Sequence, residues 1–264
     1  MIKIAFAQMS INPGNIEKNF LKMKEIVLRS AKLYNADLVI FPELAIQGAQ
    51  KDIVYPDESY INEFRDLAKE NDIWIIPGSL YVKESDSSYN RLYVIRRDGN
   101  IVGKFDKIFP WEPFEPVDRG DEILVFDFEG KLKIGIGICY DLFFPELARA
   151  MTLEGAELLI YPHYTTTSDR DAELHIARAY SILNSSYVVT FNGVDNYLVG
   201  KSAIFGPEGE LLQMSDGGEI ILTETFERER VKNVRKSGLK GVTKNYEHFL
   251  KYRKDLSNII KRHY

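Results

Sequence analysis

Leu33-Tyr34-Asn35-Ala36-Asp37-Leu38-Val39-Ile40-Phe41-Pro42-Glu43 returns in kind further along the chain as Leu153-Glu154-Gly155-Ala156-Glu157-Leu158-Leu159-Ile160-Tyr161-Pro162-His163. Each stretch reads as a helix end, a small residue, an acid, a continuous apolar run and then proline. A short apolar run without polar alternation marks a strand buried on both faces. A further helix and strand follow each stretch, over Ser59–Glu70 and Ile73–Ile76 in the first case, and over Asp171–Asn184 and Tyr187–Phe191 in the second. The simplest physical account is two similar halves, each a sheet covered by helices on one face only. The two bare sheet faces must then be buried on each other. The expected fold class is therefore α/β, a four-layer α-β-β-α sandwich with two pseudo-symmetric halves.

Outward from these stretches the reading stays regular. Ile2–Gln8 alternates as a strand, and Asn15 caps a helix that carries Ile16, Phe20, Met23, Ile26 and Val27 at helical spacing. Asp98-Gly99 and Glu129-Gly130 each sit between two apolar runs and predict tight hairpin turns, and Gly206-Pro207-Glu208-Gly209 predicts a third hairpin. No Ser-, Gly- or Pro-rich linker interrupts the series, so residues 1–264 read as one domain. Within it, about 226–264 reads as a C-terminal tail that packs on the core or on a partner subunit. The basic run Arg228–Lys240 reads as a solvated segment of that tail, and Tyr246, Phe249, Leu250 and Tyr252 as an apolar face for the core or for a partner.

Charge and composition exclude several classes of function. The 264 residues carry 34 Lys and Arg against 39 Asp and Glu, a formal charge of −5, which disfavours a dedicated polyanion binder. No nucleic-acid partner is expected. A single cysteine forbids an intrachain disulfide and a Cys-rich zinc site. The first residues turn polar too quickly for a signal peptide, and no apolar run approaches the roughly 18–20 residues of a membrane span. The expectation is a cytoplasmic protein without membrane contact.

That one cysteine lies in Gly135-Ile136-Gly137-Ile138-Cys139-Tyr140-Asp141-Leu142-Phe143-Phe144-Pro145-Glu146. An apolar strand ends at Ile138 and Pro145 suits the first turn of a helix, so Cys139 falls on the bend between them. A free thiol has a pKa of about 8.5 and needs help to attack at neutral pH. Of four histidines, His248 and His263 lie in the charged tail and His175 within a helix; His163, just past a strand, is well placed. A carboxylate with a lysine can manage the protons instead. Glu43 emerges from a buried strand on the stiff Pro42, and Lys107 follows the strand and loop Ile101–Asp106. Read residue by residue, both arrangements stay open.

Taken together the motifs resemble a family. Phe41-Pro42-Glu43, Lys107 after Gly103-Lys104-Phe105-Asp106, and Cys139-Tyr140-Asp141 with Pro145-Glu146 resemble the Glu–Lys–Cys sites of the nitrilase, or carbon–nitrogen hydrolase, superfamily. Arg178-Ala179 with Asn184 and Tyr187-Val188-Val189, and Gly200-Lys201-Ser202-Ala203-Ile204 with Pro207-Glu208-Gly209-Glu210, are similar to its later elements, so the resemblance covers nearly the whole chain. It implies a nitrilase-like fold, a homodimer or higher homo-oligomer, and no metal or organic cofactor.

The resemblance also implies a chemistry. Cys139 would attack a small-molecule amide to form a thioester, with Glu43 as proton carrier and Lys107 with the Tyr140 N–H at the oxyanion. Glu115, rather than Glu112, is the expected second carboxylate, and Tyr140, Phe143, Glu146 and His163 are expected auxiliary or substrate-binding positions. Phe143 stands where amidase-like members often carry arginine, which implies a more apolar pocket. Cys-Tyr-Asp resembles amidases more than nitrilases, which tend toward Cys-Trp-Glu. The expected function is therefore amide or N-carbamoyl hydrolysis. The alternatives are a nitrile hydrolase, a catalytically silent binding or assembly subunit, and a Cys139–His163 thiol enzyme.

Overall fold

Two sheets laid face to face organise the chain. The computed structural model describes residues 1–50, 52–195 and 197–261, so His263 lies outside it, as does the end of the tail. In the first sheet β1 (Ile2–Gln8), β2 (Leu38–Ile40) and β3 (Trp74–Ile76) run parallel, continued by β4 (Ser79–Glu84), β5 (Ser87–Ile95) and β6 (Ile101–Asp106). In the second, β7 (Leu124–Phe128) pairs with β8 (Leu132–Ile136), which runs parallel to β9 (Leu158–His163) and β10 (Tyr187–Asn192). The strands β11 (Ala203–Phe205) and β12 (Leu211–Met214) complete it, and β13 (Ile220–Phe226) crosses back to pair antiparallel with β1. The parallel triplets β1-β2-β3 and β8-β9-β10 are the cores of the two similar halves.

Alternation along β1 divides the layers. Ala5 and Ala7 pack with Phe20, Met23 and Val27 of α1 (Ile16–Lys32) and Phe64 of α2 (Ser59–Asn71). Ile4 and Phe6 face the other way, into the core shared with the second sheet. There Phe6 meets Phe191 at 5.5 Å between ring centroids, and Trp74 meets Phe128 at 4.6 Å. The helices α3 (Pro145–Leu153) and α4 (Arg170–Asn184) bury Ala148, Met151, Ala177 and Tyr180 against the second sheet. The order is α-β-β-α. Local signals act as expected: the Asn15 side chain accepts from the Lys18 N–H at 3.1 Å, and Glu129 and Gly130 both take positive φ, as the tight hairpin turn requires. Among the described residues no helix is long and apolar enough to cross a membrane.

The basic run departs from the reading of a solvated tail. Arg228–Ser237 forms α5, which buries Val231 and Val234. Its cations are spent on this chain: Arg228 pairs with Glu157 at 2.9 Å, and Arg235 donates to the Ala156 carbonyl at 2.6 Å. Two valines three apart suffice for a narrow apolar stripe, which the surrounding charges conceal in the sequence. Within α6 (Asn245–Ile260), Tyr246 is buried under Arg235, whereas Leu250 and Tyr252 are exposed.

The strand β13 also escaped the sequence reading, yet Phe226 is fully buried, edge-on to Phe6 and Tyr187. Phe226→Ala should lower the unfolding free energy by about 3–5 kcal/mol, the cost of truncating a core phenylalanine. Urea denaturation checks this, and a loss below about 1 kcal/mol would show that β13 is not a core strand.

Candidate active site

Three strand ends deliver three side chains to one cavity. Beyond β2, Pro42 turns Glu43 out of the sheet, and Gly78 lets the neighbouring chain come close: a Cβ there would lie 1.9 Å from the Pro42 carbonyl oxygen. Beyond β6, the Lys107 N–H still donates to the Asn90 carbonyl on β5 (2.9 Å), so the lysine leaves the sheet in a fixed direction. Beyond β8, Cys139 opens a 3₁₀ turn, Cys139–Phe143, with φ of +47°. A left-handed conformation at a residue with a Cβ costs about 1–3 kcal/mol, and such strain concentrates at functional turns. The bend expected at Cys139 is this turn, with Pro145 opening α3.

The Lys107 ammonium is buried between two carboxylates, donating to Glu43 Oε1 at 2.8 Å and Glu115 Oε2 at 2.6 Å. Asn90 donates to the same pair, at 2.9 Å to Glu43 Oε1 and 2.5 Å to Glu115 Oε1. The Trp111 N–H completes Glu115 at 3.0 Å on Oε2. Both oxygens of Glu115 are therefore occupied. Glu43 is anchored by Oε1 alone, and among the described residues Oε2 has no hydrogen-bond partner. Burial by itself would favour a neutral amine at Lys107, but Glu43 and Glu115 outweigh it and raise its pKa well above the ordinary lysine value. The lysine is a fixed cation.

Asp141 ties two of the elements together. Its carboxylate accepts from the Phe109 N–H at 2.8 Å and the Ile138 N–H at 2.9 Å, joining the lysine loop to the cysteine turn. Burial pushes its pKa up to about 7 against these two donors. The first backbone hydrogen bond of the turn runs from the Asp141 N–H to the Ile138 carbonyl, which leaves the Tyr140 N–H ahead of the hydrogen-bonded part.

Cys139 stands between two lobes of the cavity. One, of about 530 Å³, is walled by Glu43, Lys107, Glu115, Tyr81, Phe114 and Tyr197. The other, of about 60 Å³, lies between Tyr140, Phe143, Thr165 and Glu173. Burial and the nearby Glu43 carboxylate push the thiol well above its ordinary pKa, while Lys107 pulls it down. Of the other expected positions, Glu146 is exposed at the start of α3 and lines neither lobe. Glu112 lines a separate cavity with Arg119, so Glu115 and not Glu112 reaches Lys107.

His163, at the end of β9, is fully buried, with Nδ1 3.3 Å from Glu173 Oε1 and, among the described residues, no hydrogen-bond partner at Nε2. One ring nitrogen lies within 4.8 Å of both the Cys139 sulfur and a Glu173 oxygen. This is the one trio of metal-type ligands found among the described residues. Arg170 already neutralises Glu173 at 2.7 Å, so a cation there would meet a guanidinium. Asn90, Arg170 and Glu173 were not singled out by sequence reasoning, and Asp141 entered it only as part of the Cys139-Tyr140-Asp141 motif. The available signal was a lone amide, Asn90, inside the strand read over Tyr89–Arg97.

Comparison with known proteins places this arrangement in a class. Residues 3–236 match the carbon–nitrogen hydrolase family, and the chain belongs to it. It is a hydrolase acting on carbon–nitrogen bonds other than peptide bonds. It is 30% identical to a nitrilase from Pyrococcus abyssi, over 93% of this chain and 97% of that one. To an N-carbamoylputrescine amidase from Oryza sativa subsp. japonica it is 27% identical, over 88% and 89% of the two chains. The crystal structure of Nit3 from Saccharomyces cerevisiae shares the fold, with a TM-score of 0.82 over 90% of this chain and 94% of that one at 24% identity.

The charges around the thiol make a signed prediction. Glu43→Gln removes an anion that opposes the thiolate and leaves Lys107 paired with Glu115. Alkylation of the sole cysteine, followed against pH, should therefore move to lower pH in this variant. An unchanged or higher midpoint would show that Glu43 does not act on the thiol.

Proposed function

We propose that this hydrolase cleaves a small linear amide or an N-carbamoyl compound through a thioester on Cys139, releasing ammonia or an amine. The observation that carries the reading is the asymmetry of Glu43. Lys107 and Asn90 hold Oε1, and among the described residues Oε2 is left without a partner on a cavity wall shared with Cys139. A general base needs one anchored and one available oxygen.

In this reading Glu43 takes the thiol proton as sulfur attacks the carbonyl carbon, then passes it to the departing nitrogen. Water, activated by the same carboxylate, then cleaves the thioester. Lys107 and the Tyr140 N–H receive the oxyanion, where burial strengthens a fixed charge. Glu115, with both oxygens occupied, holds Lys107 in place instead of moving protons. Phe143 puts an aromatic ring where an arginine would attract a carboxylate, which supports a neutral acyl group.

An ammonia-release screen over ω-amides, N-carbamoyl compounds and aliphatic amides tests the reading, and silence across all three would favour a binding or assembly role. With a responding substrate, Cys139→Ala should abolish turnover and keep the fold. Glu43→Gln should lower kcat by about 10²–10⁴, the scale of general acid–base catalysis. A loss under about tenfold would transfer the proton work to His163. Lys107→Met should lower kcat by about 10²–10³, as for loss of an oxyanion donor, with a smaller effect on KM.

A further inference from the structure

Tyr81 stands on the cavity wall without a task in the chemistry above. It lies on β4 directly opposite Asn90 of β5, and residues paired in this way project from the same face of a sheet. Asn90 donates to the Glu43 and Glu115 carboxylates, and the phenol beside it lines the same lobe as Glu43, Lys107 and Cys139. The residue is 7% exposed, and its hydroxyl has no hydrogen-bond partner among the described residues. The Tyr161 hydroxyl also lacks a partner but is sealed in the core, whereas that of Tyr81 is open to the cavity.

The other polar groups of this wall are committed or outlying. Both oxygens of Glu115 are occupied, Tyr164 is half-buried, and Thr166 and Tyr197 are exposed. Burial, together with Glu115 and Glu43, pushes the Tyr81 phenol well above its ordinary pKa, and Lys107 only partly opposes them. It is a neutral hydroxyl that keeps its proton and has lone pairs with which to accept a hydrogen bond.

The function proposed above, on which this inference rests, requires Glu43 Oε2 to face a nitrogen first and a water afterwards. Each brings a hydrogen that the carboxylate does not engage. An amide or ureido nitrogen carries at least one N–H as it departs, and an attacking water has a second O–H. Such a hydrogen is costly to leave unpaired in a buried site, and an unheld nitrogen or water turns away from the reacting carbon. We propose that Tyr81 is a further catalytic residue, whose hydroxyl oxygen accepts this remaining hydrogen, from the departing nitrogen during acylation and from water during hydrolysis of the thioester. With that hydrogen held, the nitrogen lone pair turns toward the proton on Glu43. In the second step a water lone pair turns toward the acyl carbon. Tyr81 gains and loses no proton.

The role predicts a defect that depends on the leaving atom. Two probe pairs share an acyl group and differ at that atom: butanamide with methyl butanoate, and N-butylurea, through loss of butylamine, with methyl carbamate. An ester oxygen carries no hydrogen for Tyr81 to accept. Tyr81→Phe keeps the ring and removes a hydroxyl that has no protein partner, so the melting temperature should match the wild type. The variant should lose about tenfold in kcat/KM for the accepted amide or urea, the scale of one neutral hydrogen bond, and less than about twofold for the ester of the same pair. Loss of the acyl mass from Cys139, followed after mixing, should slow about tenfold from either member of a pair. An equal loss of kcat/KM for amide and ester, or none for the amide, overturns the proposal. So does a lowered melting temperature or a shifted pH dependence of Cys139 alkylation by iodoacetamide, since Tyr81 would then act by supporting Glu43 and Lys107. If neither pair leaves an acyl group on wild-type Cys139, the thioester reading itself falls, and this role with it.

Discussion

A lysine ammonium buried between two carboxylates is the interaction on which the rest of this site depends. Moving a single ion into a protein interior costs several kcal/mol, and removing one partner of a buried pair costs about 3–5 kcal/mol. Lys107, Glu43 and Glu115 therefore have to arrive together, and each arrives from a different place in the chain. Glu43 lies just beyond β2, Lys107 directly follows β6, and Glu115 lies on the loop after it. Asn90 on β5 donates to both carboxylates, so the two anions share an amide as well as a cation. The cluster keeps a net negative charge beside the thiol. Cys139 rests as a protonated sulfur next to an anion, and Lys107 limits how far its pKa rises.

The two halves of the fold explain why the cysteine is flanked on both sides. Glu43 follows Pro42 at the end of β2, and His163 follows Pro162 at the end of β9, so the two occupy equivalent positions in the repeated stretch. Packing the bare sheet faces on each other brings both ends to Cys139. The halves then diverge in burial. Glu43 opens onto the large lobe, whereas His163 is sealed behind Glu173 and Arg170. One frame thus presents a carboxylate to one side of the sulfur and a buried polar cluster to the other.

Much of this was legible in the sequence, for identifiable reasons. Strands buried on both faces, a capped helix and a Glu129-Gly130 turn are local signals, and the four layers follow from the repeat. Glu43, Lys107 and Cys139 each stand next to a proline, glycine or strand end that marks an exit from a sheet. Asn90 carries no such mark, because the partners that make it matter are 25 and 47 residues away. Glu173 and Arg170 look like an ordinary helical pair three residues apart, and only the buried surroundings change their meaning. Glu112 and Glu115 share one proline-rich loop, where spacing alone does not tell which of them turns inward. In α5 the density of charge hid Val231 and Val234, and with them a docked helix.

The central claim, that acyl transfer passes through the sulfur of Cys139, is most directly tested by the mass of the peptide containing Cys139 from enzyme acid-quenched during turnover. The account predicts one substrate-derived acyl group on that peptide. It would be contradicted by an unmodified Cys139 peptide with the acyl group carried on another residue.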